Sequence, residues 1–399
     1  MAAQTQITKL STEEALARAA ALTPLLRERS KTTNEMRRMP AETMAALVES
    51  GLTRILQPAR YGGLEGDLET FARIVFQLAR GDGSAGWVYS VLAIHSWLVG
   101  MFPNQAQQDV WGKNPDALVA SSFLPGGKCD PVAGGYRVTG KWGFSSGCES
   151  SDWVIIIVFL GMKDGKPPLP DLRMLLAPLA DCTIDDDWQV LGLRGTGSKS
   201  VVIRDLFIPE HRAIDFYAAR EGKGPGRTAN PGPLFSIPAF AIFPICLASP
   251  AVGIGWGAID RFQEHVKAGA AKSTRQSLAS YPTIHMRFAE ASAMVDAAEL
   301  LLRRDLRETM DNAIAGKEMT QGMRIRGRRD HGYATLIAGQ AVEKLFRACG
   351  ATGIFDSFEL QTSYRDANAT MAHLGTNWDI AGSAFGSTAL GGHPGELWS

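Results

Sequence analysis

Neither sign of charge prevails in this chain: 41 lysines and arginines offset 41 aspartates and glutamates over 399 residues. Without a net field there is no broad electrostatic footprint for nucleic acid or an anionic membrane, so neither is an expected partner and small-molecule chemistry is expected instead. Cysteine is scarce. The five, at 129, 148, 182, 246 and 349, are odd in number and form no CxxC pair, which argues against a disulfide framework or a zinc ribbon and fits a reducing cytoplasm. No uninterrupted apolar run approaches the ~20 residues of a membrane helix. The opening Met1–Gln6 has no basic start leading into an apolar stretch, so a soluble protein without a secretory signal is expected. His211, His265, His285 and His393 lack a carboxylate or cysteine at metal-ligand spacing, and no metal site is expected.

What is present divides into three blocks. Residues 1–117 read as a helical domain: Ser11-Thr-Glu-Glu14 has capping-box spacing, Pro40 to Gly51 runs from a proline start to a glycine stop, and Phe71, Ile74, Val75 and Leu78 form an apolar stripe. Residues 118–220 read as a β domain. Tyr136, Val138, Trp142 and Phe144 alternate onto one face with Gly140, and the strand ends on Ser145 and Ser146. The run Trp153 to Leu160 is apolar and β-branched enough to be a buried strand. A Gly/Pro-rich passage, 221–233, leads into residues 221–399, where helical patterns cover 245–268, 283–312 and 320–349 and a last helix starts near Gln361. The expected fold class is α+β: an N-terminal helical domain, a middle β-barrel or sandwich and a C-terminal four-helix bundle.

Two motifs invite readings that their setting opposes. Gly81-Asp-Gly-Ser-Ala-Gly86 matches the dinucleotide fingerprint, but the segment before it has helical rather than strand spacing, and no acidic residue follows at 101–107. A flexible turn between helices, presenting Trp87, is expected. The basic run Arg324 to Arg329 lies in a helical pattern and reads as a solvated face or subunit contact rather than a phosphate site.

The order of blocks, together with Gln57-Pro-Ala-Arg-Tyr-Gly-Gly63, Gly83-Ser-Ala-Gly-Trp87, Ala120-Ser-Ser-Phe123, Trp142-Gly-Phe-Ser-Ser-Gly147, Gly192-Leu-Arg-Gly-Thr-Gly197, Phe207-Ile-Pro209 and Tyr364-Arg-Asp366, resembles the acyl-CoA dehydrogenase superfold. More closely it resembles that fold's flavin-dependent monooxygenases, the oxygenase components of two-component systems. The dehydrogenases take a substrate proton with a carboxylate, commonly in a Glu-Gly-Thr setting. Here Leu374 stands before Gly375-Thr376 and no carboxylate occurs between 367 and 378, which disfavours ordinary dehydrogenation. His373 stands there instead.

The resemblance implies reduced flavin, FMNH2 or FADH2, with O2 as co-substrate, a separate NAD(P)H:flavin reductase, an aromatic substrate and a homotetramer packed through the C-terminal helices. It places Ser146 and His373 beside the reacting edge of the flavin, His373 as a protonated donor to a nascent C4a-peroxide, and His95 as the base for a phenolic substrate. Other implied flavin contacts are Trp87, Ser121, Ser122, Phe123, Phe144, Ser145 and Leu374, with Ala351 and Thr352 near the flavin tail. Trp87, Phe123, Phe144 and Trp142 would keep the pocket dry. Lys272 or Arg275 would replace a phosphate-binding arginine that has no obvious match near Gly269. The Arg194-Gly-Thr-Gly197 loop reads as a tight structural connection. The alternatives are an acyl-CoA dehydrogenase with a displaced base, a relative that oxygenates nitrogen or sulfur, and a subunit without enzymatic activity.

Overall fold

The structure, a computed structural model, describes residues 10–163, 169–269 and 276–393. Lys272 and Arg275 lie outside the described residues. The first helices are α1 (Thr12–Met36), α2 (Ala41–Glu49), α3 (Leu68–Gly81), α4 (Gly83–Val99) and α5 (Asn104–Trp111). The capping box forms as its spacing predicts: the Ser11 hydroxyl accepts from the Glu14 amide, and the Glu14 carboxylate accepts from the Ser11 amide. All four residues of the apolar stripe on α3 are fully buried.

The Gly81–Gly86 segment is not a flexible turn. One residue, Asp82, separates α3 from α4, and its carboxylate caps α4 by accepting the Ala85 amide at 2.6 Å. The glycines allow close packing: a Cβ on Gly86 would lie 2.4 Å from the Ala79 methyl, and one on Gly81 would lie 2.5 Å from the Thr23 carbonyl oxygen.

Among the described residues eight strands follow: β1 (Val119–Ser122), β2 (Lys128–Val132), β3 (Gly135–Ser145), β4 (Trp153–Lys163), β5 (Leu169–Pro178), β6 (Thr183–Asp185), β7 (Lys199–Pro209) and β8 (Ala213–Asp215). They form two four-stranded sheets, β1-β4-β5-β8 and β2-β3-β7-β6. The first sheet is covered on both faces. Val154, Ile156 and Leu175 point into a core between the sheets, while Ile155, Ile157 and Leu176 point into the helical core. That double burial is why β4 is continuously apolar. Trp142 lies in the core between the sheets and donates to the Ile157 carbonyl, so it does not wall a cofactor pocket as expected.

On β3 the expected alternation holds as far as Trp142. The register with β7 then shifts between Trp142 and Ser145. At this bulge Phe144 takes φ 60° and turns outward, 63% exposed, while Ser145 turns fully inward.

The remaining helices are α6 (Phe216–Arg220), α7 (Ala239–Ile242), α8 (Ile245–Ala268), α9 (Pro282–Ile314), α10 (Gln321–Ala348), α11 (Glu359–Ala372) and α12 (Trp378–Ala389). The stretch Ala239–Ala268 is apolar enough to cross a membrane by length and composition, but most of it is buried inside the protein. Helices α8 to α11 form the expected bundle, and α3 and α4 pack on α8. The helices before and after the sheets therefore share one core, and the sheets are an insertion into a helical body. The basic run on α10 is paired within that body: Arg324 with Glu221, Arg326 with Glu308 and Arg329 with Asp330.

Candidate active site

The bulge on β3 delivers Ser146 into a hydrogen-bonded cluster. Its Oγ accepts the Trp87 indole N–H at 3.0 Å from the first turns of α4 and lies 2.7 Å from Ser198 Oγ, which lies 2.6 Å from Thr196 Oγ1. Thr196 and Ser198 belong to the loop before β7 and are buried. The sequence drew attention to this stretch, but reading the 194–197 loop as structural left both hydroxyls without an assigned role. Its glycines do have packing roles, since a Cβ on Gly192 would meet the Arg365 carbonyl oxygen at 2.0 Å and one on Gly195 the Thr33 methyl at 2.3 Å.

His373 caps α11 and faces the same cluster, its ring centroid 5.7 Å from that of Trp87. Its Nδ1 accepts the Gly375 amide at 3.0 Å, which leaves the neutral ring's proton on Nε2. Desolvation, with no acid to oppose it, pushes its pKa down to about 4. The expected imidazolium is thus corrected to a neutral N–H donor in the free protein.

Two turns further along α4, His95 forms a second cluster. Val119 and Ser121 share the face of β1 that meets α4, whereas Ser122 faces away and donates to the Gly143 carbonyl. His95 Nδ1 lies 2.7 Å from the Val119 carbonyl oxygen and Nε2 lies 2.8 Å from Ser121 Oγ. A carbonyl only accepts, so Nδ1 carries the proton and Nε2 accepts from Ser121. Burial holds His95 neutral, with a pKa of about 4. Aromatic rings close this pocket: Phe243 stacks on His95 at 5.8 Å, and Phe123 packs edge-on to Phe243 at 4.6 Å.

The other expected contacts are more dispersed. Phe144 is exposed and packs against Trp188 at 5.9 Å. Ser145 Oγ is buried and has no hydrogen-bond partner among the described residues. Leu374 is 44% exposed beside His373. Ala351 and Thr352 sit on the turn between α10 and α11. That turn lies at the opposite end of α11 from His373, about 20 Å away by helix rise, so these residues cannot share a flavin ring with His373 and are placed for a tail.

Asp366, in the Tyr364-Arg-Asp366 motif, supports the site from behind. Its carboxylate accepts the Leu193 amide at 2.6 Å. Burial, reinforced by the charge of Asp82, raises its pKa to about 7. A cavity of about 930 Å³ opens on the far side, lined by Asp366, Asp82 and Arg194 among other polar residues but by neither Ser146, His95 nor His373. Ser146, His373 and Trp87 together could offer a planar heterocycle a hydroxyl, an N–H donor and a buried indole, with Phe144 and Leu374 as exposed apolar neighbours, a set that fits a flavin.

Residues 12–114 match the acyl-CoA dehydrogenase N-terminal domain family, and residues 245–378 match the C-terminal domain family. The oxygenase subunit HsaA, a flavin-dependent monooxygenase of Rhodococcus jostii, is 38% identical, covering 93% of this chain and 97% of its own. The oxygenase component of an FADH2-dependent resorcinol hydroxylase from a Rhizobium species is 38% identical, with 94% of each chain covered. The crystal structure of 3-HSA hydroxylase from a Rhodococcus species superposes with a TM-score of 0.90 at 37% identity, covering 97% of this chain and 99% of that one. With Leu374 in place of a carboxylate and oxygenases as relatives, the dehydrogenase alternative falls. The chain belongs to the flavin-dependent monooxygenases of the acyl-CoA dehydrogenase fold, the oxygenase components that receive reduced flavin from a separate reductase.

Proposed function

We propose that this oxygenase hydroxylates an aromatic substrate bearing a phenolic hydroxyl, using FADH2 and O2, and that Ser121 and His95 hold the phenol. The observation that carries this reading is the directed hydrogen bond from Ser121 to His95 inside a wall of aromatic rings. Because the Ser121 proton points to Nε2, its oxygen presents lone pairs to an incoming O–H. As the phenol donates to Ser121, Ser121 donates more strongly to His95, and electron density on the ring rises. With a pKa of about 4, His95 shares the proton rather than taking it outright, which makes it a polarising acceptor more than a full base.

On the flavin side, Ser146 and Trp87 would fix the ring edge and the His373 Nε2–H would face the oxygen site. Bound reduced flavin supplies the electrons that activate dioxygen. The residues here orient, donate one hydrogen bond and keep water out. The preference for FADH2 over FMNH2 is supported by the FADH2 dependence of the Rhizobium relative and by the distance from His373 to Ala351 and Thr352, which suits a long tail. We also propose a homotetramer, supported by Met286, Leu300 and Ile314, which α9 leaves exposed. Light scattering that reports a monomer would refute it.

The test of function is a stopped-flow experiment. The protein with anaerobic FADH2 and a simple phenol such as resorcinol is mixed with oxygen while flavin absorbance and catechol-type product are followed. A slowed return to oxidised flavin together with hydroxylated product is expected. Reoxidation at the rate of free flavin, without product from a panel of phenols, overturns the reading.

A further inference from the structure

Six cationic side chains line the cavity behind Asp366, and four of them are answered by acids. Arg27 meets Glu264 and Glu359, Arg80 meets Asp260, Arg261 meets Glu359, and Lys31 lies 3.9 Å from Glu35. Arg194 and Arg365 form no ion pair among the described residues. Arg365 reaches only the Thr362 hydroxyl, at 3.4 Å, and its Nε is buried with no acceptor there. Asp366, next to it in the chain, has turned one oxygen to the Leu193 amide, and burial with the charge of Asp82 raises its pKa to about 7. At neutral pH it is only partly ionised and cannot answer both arginines. Of the remaining acids on the wall, Glu28 and Asp356 are exposed, and Asp356 accepts from Gln361.

A guanidinium stays charged in a protein and presents its donors as a planar fork that matches the oxygens of a carboxylate or phosphate. A buried donor left unpaired is a fault that an oxyanion in the cavity removes. Asn34 and Ser363 line the same space with further donors. The volume, about 930 Å³, is that of a site for a small organic molecule rather than for a bare ion. We infer that Arg194 and Arg365 form a second binding site, for a small organic molecule carrying a phosphate or carboxylate group, and that its occupation pins the loop before β7 to α11. The site stands apart from the flavin reading, since neither Ser146 nor His373 lines it.

The pinning follows from where the two arginines sit. Arg194 is one residue beyond Leu193, whose amide donates to Asp366 on α11, and Gly192 packs on the Arg365 carbonyl oxygen. A ligand that accepts from both guanidiniums adds another tie between loop and helix beside these two. Thr196 and Ser198, which lead to Ser146, belong to the same loop.

The full-length protein, with no flavin added, is titrated calorimetrically with glucose 6-phosphate, succinate and inorganic phosphate, with sodium chloride holding the ionic strength constant. Saturable binding of an organic anion is expected, glucose 6-phosphate assigning a phosphate ligand and succinate a carboxylate by whichever binds more tightly. Arg194→Gln and Arg365→Gln should each weaken it about tenfold or more, and Arg194→Lys, which keeps the charge but loses the fork, should weaken it less. Because neither arginine forms an ion pair, both glutamine variants are expected to keep the unliganded thermal midpoint. Amide exchange at 193–198 should slow at saturating ligand. Heat from none of the three probes, from inorganic phosphate alone, or undiminished in the double glutamine variant overturns the site, as does a lowered unliganded midpoint in both single variants, which would give each arginine a structural partner. Unchanged exchange at 193–198 with ligand bound overturns the pinning.

Discussion

In the free protein His373 is a neutral imidazole whose only proton is on Nε2, because Nδ1 is occupied by the Gly375 amide. Replacement by asparagine keeps an N–H donor of similar reach but loses the ring packed on Trp87. Replacement by alanine loses both. His373→Ala is therefore expected to speed the decay of the transient flavin absorbance about tenfold or more, with His373→Asn intermediate, in the stopped-flow experiment above. Equal decay in all three proteins would remove His373 from the oxygen site. His95→Ala and Ser121→Ala should leave that transient intact and cut product about 100-fold, with hydrogen peroxide released in its place. If the transient and the product are lost together, the two residues act on the flavin side instead.

At the scale of elements, the bulge on β3 carries a conformational cost that the site uses. Phe144 at φ 60° is a bulky side chain in the left-handed region, a placement worth about 1 kcal/mol or more of strain. Because its ring is mostly exposed, Phe144→Gly is expected to raise the thermal midpoint by relieving that strain while weakening flavin affinity. A lowered midpoint would show that the Trp188 contact outweighs the strain. The loop before β7 has no such slack. Gly192→Ala forces a methyl against the Arg365 carbonyl oxygen, and a loss of about 1–3 kcal/mol in unfolding free energy is expected. Denaturant titration checks it, and an unchanged midpoint would mean that the loop can move off α11.

The long-period helices, the capping box and the buried strand β4 were legible because each is dictated by local spacing and apolar content. The break at Phe144 was not, since it depends on the register of β3 against β7, more than fifty residues away. The same holds for the Ser146–Ser198–Thr196 chain, whose members are individually ordinary hydroxyls. α12 was missed because its small residues show no apolar stripe. The charge states of His95 and His373 were misjudged or left open because burial decides them, and burial is a property of the assembled fold.

At the scale of the whole molecule, three buried or half-buried histidines, His95, His331 and His373, each have pKa values pushed down to about 4 by desolvation. Between pH 4 and 6.5 the unfolded chain binds their protons more tightly than the folded one does. Their stability contribution is complete above about pH 6.5 and is lost as pH falls towards 4. Asp366, raised to about 7, opposes this in sign: its folded form holds a proton that the unfolded form releases, so its contribution declines as pH rises from about 4 to 7. Asp82 and Asp330 are raised by burial as well and His265 is lowered, so four histidines stand against three aspartates, and the thermal midpoint is expected to fall modestly on acidification below about pH 6.5. His331 has no hydrogen-bond partner at either ring nitrogen among the described residues. His331→Leu should flatten the acid limb by up to about 1.4 kcal/mol per pH unit and leave flavin binding unchanged. An acid limb of undiminished slope would place His331 in contact with water.

The insertion of two sheets into one helical body has a consequence for how the protein senses its own loading. Ser146 and the loop 193–198 belong to the outer sheet's end of the insertion, while Trp87 and His373 belong to the helices, and Trp87 to Ser146 is one bond across that seam. A flavin lying there would fasten the two sides. Amide hydrogen exchange at 145–147 and 193–198 is therefore expected to slow on adding FADH2 while the core of α8 is unaffected, and unchanged exchange in both segments would count against a flavin lying at the seam.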